Sequence, residues 1–358
     1  MEKKKISVVF YPSPESNPEN PYLALYKKYL KNEEVQVVEH GRSLSLSYLW
    51  KMQGKVSILH FHWPSGFYRA SSLFCNVKAF IKYHIFLVLA KALGYKVFWT
   101  VHNLYPHELR FKRLHTIARR SIAKIASGLF VHCKGAEELV TKTYGVRDKF
   151  YQAPYGDYLD VYVSPHGREV SRKILGLKDG YIFVTLGMLR KYKGIVQAAE
   201  NFLHLAPMEA QLVIAGPAGN KDEMEKLREI VEKSNGRIKL FMQFISAIEI
   251  PIFMGAADCV WLTYKRIFTS GALVMALSQG KPVLAPDFPF IREMLTPEAG
   301  VIYKNNDEKS LAEGFKQIMA MDPEKAKQEA LRIAREKCSW EKLAKITTQA
   351  YRKALSKQ

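Results

Sequence analysis

Two short segments of this sequence carry residue types that bind anions. In Gly187-Met-Leu-Arg190-Lys-Tyr-Lys193-Gly194, Arg190 and Lys193 stand between glycines, directly after the apolar run Tyr181 to Leu186. A strand, such a turn and then a helix would set both cations beside the backbone N–H groups of a helix start, a combination that suits a diphosphate. Lysine-rich turns of this kind also occur without any ligand, so the segment alone decides nothing. Thr269-Ser270-Gly271 opens a second apolar segment, Ala272 to Gln279. A hydroxyl there caps a helix in the ordinary case. The same geometry turns backbone donors toward a phosphate. Two such starts in one half of the chain suggest a nucleotide diphosphate held between them.

A third segment, Trp99-Thr-Val-His102-Asn-Leu-Tyr-Pro-His107-Glu108, places three titratable groups in a polar, proline-containing loop after an apolar run. His102, His107 and Glu108 are candidates for acid–base work. A lone histidine is more often structural; three such groups at one strand end shift that balance. A metal is the rival explanation. His60 and His62 read as pointing to opposite faces of their strand, and no H-x-x-x-H or His/Asp cluster occurs, so no protein-bound metal is expected. No G-x-S-x-G elbow, kinase loop or complete Walker motif is present.

The charge is uneven. Of 358 residues, 54 are Lys or Arg and 34 Asp or Glu, a net charge of +20. Between Arg42 and Lys134, 15 basic residues face the single acid Glu108. Such a field attracts nucleic acid, anionic head groups or phosphorylated substrates, and it is also what a merely basic surface looks like. Phe74, Val77, Phe80, Ile81, Tyr83, Ile85 and Val88 recur at helical spacing among Lys78, Lys82 and Lys91. This reads equally as a basic helix resting in a membrane interface and as a core helix with a lysine edge. The four cysteines form no C-x-x-C pair, which fits a reducing compartment. The apolar stretch around Tyr83 to Ala90 is short of the roughly 20 residues a spanning helix needs. A protein without a transmembrane segment is therefore expected.

The elements that must position these residues alternate. Strands are expected at Ile6 to Tyr11, Val35 to Val38, Ser57 to His62, Val97 to Val101 and Gly128 to His132, with helices between them. A second series follows, with strands at Tyr181 to Leu186, Gln211 to Ala215, Arg237 to Phe241, Cys259 to Thr263 and Pro282 to Ala285. Alternation of this kind implies parallel sheets covered on both faces, with ligands at the carboxyl ends of the strands. The pattern weakens between Tyr151 and Lys178. The expected domains are residues 1–165 and 166–335, with a terminal helix in 336–358 returning toward the first, and hinges near 165 and 335.

With these motifs assembled, the sequence resembles GT-B-fold glycosyltransferases, most of all glycosyltransferase family 4 and related bacterial polysaccharide-assembly transferases. The likeness rests on the Gly187 to Gly194 loop, Leu212-Val-Ile-Ala-Gly216, Ala256-Ala-Asp258-Cys-Val-Trp-Leu-Thr-Tyr264 and the segment from Ser270 to Pro286. In the N-terminal part Asn20-Pro-Tyr22, His60-Phe-His-Trp63 and Thr100 to Glu108 add to it. The resemblance implies an α/β architecture of two Rossmann-like domains facing across a cleft, the C-terminal one binding the nucleotide sugar. Arg190 and Lys193 would neutralise the donor diphosphate, and Thr269, Ser270 and Gly271 would offer it further donors. Phe244 and Ile245 match contacts to the base, Glu293 an acidic residue near donor sugar or ribose, and His102 a histidine near the reacting sugar. Many retaining members carry two glutamates around the last motif, at positions that correspond here to Ile267 and Met275. If the reaction inverts, it needs a base near the acceptor hydroxyl; Glu108 and His102 are the candidates, Asp157 a poorer one.

The resulting expectation is a cytoplasmic transferase, peripheral on a membrane, using a UDP- or GDP-sugar without a metal or other cofactor. Its acceptor would be a glycan or a polyprenyl-diphosphate-linked glycan, in cell-surface polysaccharide assembly. Nucleic acid is not an expected partner, for no aromatic-and-basic recognition motif occurs. Two other classes stay open at this point: a nucleic-acid or anionic-membrane binding protein on an inactive scaffold, and a GT-B-fold sugar-nucleotide epimerase.

Overall fold

The computed structural model describes residues 5–16, 18–40, 44–68, 73–106, 111–163 and 166–357, with the side chains of 73–76 excepted. The chain parts into two units, Met1–Gly156 with Ser339–Gln358, and Asp157–Cys338. The sequence reading set these divisions near 165, which lies outside the described residues, and near 335.

The first unit holds six parallel strands: β1 (Ile6–Tyr11), β2 (Val35–Val37), β3 (Ile58–Phe61), β4 (Lys96–Thr100), β5 (Gly128–Val131) and β6 (Phe150–Gln152). Their order is β2-β1-β3-β4-β5-β6. Strands β3, β4 and β5 are buried almost throughout, as expected where helices cover both faces. The helix Trp340–Leu355 belongs to this unit. Trp340 and Tyr351 are fully buried there, and Tyr26 Oη lies 2.5 Å from Thr347 Oγ1.

The second unit holds β7 (Tyr181–Leu186), β8 (Ala210–Ala215), β9 (Ile238–Phe241), β10 (Cys259–Trp261), β11 (Val283–Pro286) and β12 (Gly300–Tyr303), in the order β12-β11-β10-β7-β8-β9 and all parallel. The connections run outward in one direction from β7 and in the other from β10. The crevice between the carboxyl ends of these two strands is therefore the switch point, where sheets of this kind bind ligands. A core of Phe183, Phe202, Leu212, Trp261 and Phe315 holds the helices on one face. At the opposite end of the strands, Asp258 accepts from Arg168 (2.6 Å), Arg172 (2.5 Å) and the Ile182 amide (2.7 Å). This carboxylate fixes where β7 and β10 begin, remote from their functional ends.

Candidate active site

The turn after β7 is set by backbone constraints. Gly187 has φ +101° and Gly194 φ +65°, conformations that L side chains rarely adopt. Between them Lys191–Lys193 forms a short 3₁₀ turn, and the helix Ile195–Leu205 starts at Gly194. The tightness of the turn folds Lys193 back, so that its buried Nζ donates to the carbonyl of Leu186 at 3.1 Å. Arg190, half-buried at the start of the turn, donates from Nε to Met188 Sδ. Burial, and then the Arg190 charge, push the Lys193 ammonium down to about 8. Two cations held this close are stabilised by an anion, and among the described residues no carboxylate is found to offset the Lys193 charge.

The loop after β10 meets this turn. Thr263 Oγ1 donates to the Lys193 carbonyl at 2.7 Å, and the Lys265 amide donates to Tyr192 O at 2.9 Å. The rings of Tyr192 and Tyr264 stack at 6.1 Å and 2°. Tyr264 Oη lies 3.1 Å from Ser270 Oγ, which caps the helix Gly271–Ser278 by accepting from the Leu273 amide at 3.0 Å. The Ser270 oxygen thus accepts the cap, and its O–H keeps a proton to donate. The first amides of the helix, which geometry leaves without intrahelical acceptors, are also available to a phosphate. Thr269 is half-buried beside them. Arg190, Lys193, Ser270 and Gly271 are brought together at the switch point of the second sheet. A cavity of about 420 Å³ opens beside the same loops, lined by Gly194, Asn201, Thr263, Lys265, Asn305 and Asp307 among others.

The remaining second-unit candidates sit on neighbouring strand ends. Phe244 and Ile245 follow β9; the Phe244 ring is 55% exposed while Ile245 is buried. Glu293 lies exposed on the helix Pro289–Met294 after β11, and its carbonyl accepts from Lys337 Nζ at 3.1 Å. Ile267 is half-buried in the loop before Ser270, and Met275 is buried within the Gly271–Ser278 helix.

In the first unit, His62, His102 and His132 follow the ends of β3, β4 and β5, three adjacent strands. Their rings form a row: His62–His102 centroids 5.5 Å apart and His102–His132 5.4 Å apart. His62 Nδ1 lies 3.3 Å from His102 Nε2. Trp63 stacks on His102 at 4.6 Å, and Tyr22 meets it edge-on at 5.0 Å. The reading that separated His60 from His62 is corrected: residues two apart on a strand share a face, and these rings stack at 4.4 Å. His60 is held between Tyr351 Oη (2.5 Å) and Thr100 Oγ1 (2.8 Å). Arg119, fully buried, braces the loop beyond His102 through the carbonyl and side-chain oxygen of Asn103. His107 and Glu108 lie outside the described residues.

Burial lowers all four of these histidines. His60, His62 and His102 fall well below the usual range, with neighbouring histidines adding to burial, and His132 falls to about 4. The row is neutral at pH 7. It can exchange hydrogen bonds with hydroxyl groups and does not supply charge. Among the described residues, His62 Nε2, His132 Nε2 and Tyr22 Oη find no hydrogen-bond partner. Among the described residues, no three His, Cys, Asp or Glu side chains are grouped to hold a metal ion. His132 is a residue that sequence reasoning missed. The signal was available: SILHFH, VFWTVH and GLFVH are each a mostly apolar run closing on a histidine.

Residues 167–336 match the family described as Glycosyl transferases group 1. A curated relative, GDP-mannose:glycolipid 4-beta-D-mannosyltransferase of Xanthomonas campestris pv. campestris, is 25% identical over 234 residues. That alignment covers 65% of this chain and 62% of the relative, so the chain spans less than two thirds of the protein it matches. Among solved structures, sucrose-phosphate synthase of Thermosynechococcus elongatus superposes with a TM-score of 0.74 at 15% identity, covering 99% of this chain and 100% of that one. Anabaena HepE in complex with UDP and glucose gives 0.72 at 16%, again covering 99% and 100%. The lipopolysaccharide glycosyltransferase WaaG gives 0.61 at 15%, covering 98% of each chain. At these identities the structures establish the shared fold.

Proposed function

We propose that this chain, whose residues 167–336 match the group 1 glycosyl transferases and whose two units have the GT-B fold, moves a sugar from a nucleoside diphosphate sugar to a lipid-linked glycan. One observation carries the reading. Arg190 and Lys193 on one side and the start of the Gly271–Ser278 helix on the other meet at the switch point, tied by the Thr263–Lys193 hydrogen bond. Breaking a glycosyl–phosphate bond leaves negative charge on the departing diphosphate, and fixed cations and helix amides stabilise that charge as it develops. With a guanidinium and an ammonium in those places, the reading is metal-independent transfer.

The Xanthomonas relative's name specifies GDP-mannose, a glycolipid and a β linkage. A GDP-sugar is therefore the first donor to try, ahead of a UDP-sugar, and a polyprenyl-diphosphate-linked glycan the first acceptor. The apolar Ile267 and Met275, standing where retaining members carry carboxylates, favour inversion. The neutral His102 suits a hydrogen bond to a sugar hydroxyl, and Glu108 is the candidate base. Phe244 and Ile245 serve the base of the nucleotide, and Glu293 the donor sugar or ribose. The working place is the cytoplasmic face of a membrane, where a soluble donor and a lipid-linked acceptor meet. Support for this comes from the relative's glycolipid and from the finding that no described helix is long and apolar enough to cross a membrane.

Calorimetry with GDP and UDP, followed by transfer assays with GDP-mannose in chelator, tests the reading. Binding of one nucleotide that Arg190→Ala abolishes is the expected result. If neither nucleotide binds, and Arg190→Ala leaves transfer unchanged, the donor site is elsewhere.

A further inference from the structure

The helix Leu73–Ala92 buries one face and leaves an apolar stripe on the other. Tyr83, Phe86, Leu87 and Ala90 are fully buried against the first unit's core. Outward, Val77, Ile81, Ile85 and Val88 are 41%, 52%, 50% and 62% exposed. Spacings of four, four and three place them in one line along the helix. β-branched residues are mediocre helix formers, and a water-facing position gives their side chains no burial in return. The adjacent helix Lys112–Ile125 packs alongside, joined by the His84 Nε2–Ser121 Oγ contact of 2.8 Å. One turn before Ser121 it adds Ile117, 53% exposed.

The charged side chains that these two helices carry all have one sign. Lys78, Lys82 and Lys91 are exposed on the first helix, Arg113 and Lys124 on the Ile117 side of the second. From residue 40 to 136 the sequence contains a single acid, Glu108. A second copy of the same surface would meet it with like charge. The stripe itself is aliphatic, and it gives nucleic-acid bases no ring to stack on. Branched aliphatics rimmed by ammonium and guanidinium groups match acyl chains beneath anionic head groups.

We infer that the outward faces of the Leu73–Ala92 and Lys112–Ile125 helices form a docking surface for an anionic lipid bilayer, with Ile81 and Ile85 entering the interface. This deepens the reading of a lipid-linked acceptor, on which its biological sense rests, yet its test needs neither donor nor acceptor.

The test is flotation of the full chain with vesicles of phosphatidylcholine, with and without phosphatidylglycerol. The wild type floats with the phosphatidylglycerol vesicles, less so as salt rises. Ile81→Glu/Ile85→Glu lowers the bound fraction by about tenfold, while Met208→Glu, at an exposed position of the second unit, floats like wild type. Far-UV circular dichroism and GDP calorimetry on the same variants keep folding and donor binding separate from docking. Nucleotide binding without flotation sinks the surface and spares the transferase; flotation without nucleotide binding does the reverse. Equal flotation with pure phosphatidylcholine, or undiminished flotation of the double variant, overturns the inference. So does a dimer, or a complex with duplex RNA, that the double substitution dissolves.

Discussion

Thr263 Oγ1 donates to the main-chain carbonyl of Lys193 at 2.7 Å, joining the loop after β10 to the turn after β7. The two loops come from strands that are neighbours in the sheet but about 75 residues apart in sequence. Through this bond, the position of the buried ammonium depends on the loop that leads to Ser270. Thr263→Val keeps the shape and removes the donor. A net loss of about 1 kcal/mol is expected for a neutral hydrogen bond, read as a several-fold weaker GDP affinity in calorimetry. An unchanged affinity would mean that the two loops are held by other contacts.

Lys193 gives a second prediction, because its burial costs stability. Its folded-state pKa of about 8 lies below the ordinary lysine value. The unfolded chain therefore binds a proton that the folded chain resists between pH 8 and the ordinary value, and stability rises with pH across that window. Below it the buried charge is a constant cost. Lys193→Met should raise the unfolding free energy read from urea titration at neutral pH by on the order of 1–3 kcal/mol, while removing donor binding. In the wild type, nucleotide affinity should fall as pH rises through 8, since the ammonium that meets the phosphate is being lost. A Lys193→Met variant that is both less stable and able to bind would contradict this account.

Where the sequence pattern is strong, structure follows it closely. Ile6–Tyr11 and Tyr181–Leu186 begin and end where their apolar runs do, because interior parallel strands must be apolar on both faces. The edge strands Phe150–Gln152 and Gly300–Tyr303 escape the pattern: they are short, and half-buried positions interrupt them. At the site, the motif positions were legible but their roles were not. Ser270 reads as a phosphate donor, and only the fold shows its oxygen also accepting from the Leu273 amide. His132 becomes visible once β5 is seen beside β4, a fact of sheet order that no local spacing records.

The histidine row predicts acid sensitivity. His132 is held to about 4, chiefly by burial and against its hydrogen bonds to the Ala153 and Pro154 carbonyls, which favour its charged form. His60, His62 and His102 shift in the same direction. The unfolded chain takes up these protons near the ordinary histidine pKa, so the stabilisation is complete above that value. It is lost as pH falls toward 4. His132 alone accounts for about 3 kcal/mol over the window. Urea unfolding at pH of about 7, 6 and 5 should show a midpoint that drops steadily, and His132→Asn should flatten the drop. A midpoint independent of pH would show that the histidines take up protons alike in the folded and unfolded chain.

The last prediction concerns how the C-terminal helix supports the histidine row. Trp340, at the start of the Trp340–Leu355 helix, is fully buried against Tyr22, with ring centroids 5.2 Å apart, and stacks on Tyr29 at 6.0 Å and 14°. Tyr22 in turn meets His102. Gly156 lies so close that a Cβ there would stand 2.0 Å from Trp340 Cε2. Trp340→Ala should cost about 3–5 kcal/mol, the range for emptying a large aromatic site. Gly156→Ala should be destabilising by itself, since ring and backbone cannot both keep their places. The two changes should not add: with the indole gone, the new methyl has room, and the double variant should be no worse than Trp340→Ala. Because the indole backs the tyrosine that touches His102, Trp340→Ala should also raise KM for the acceptor and leave GDP affinity in the second unit unchanged. Additive stability losses, or an acceptor KM untouched by the missing ring, would separate the terminal helix from the histidine row.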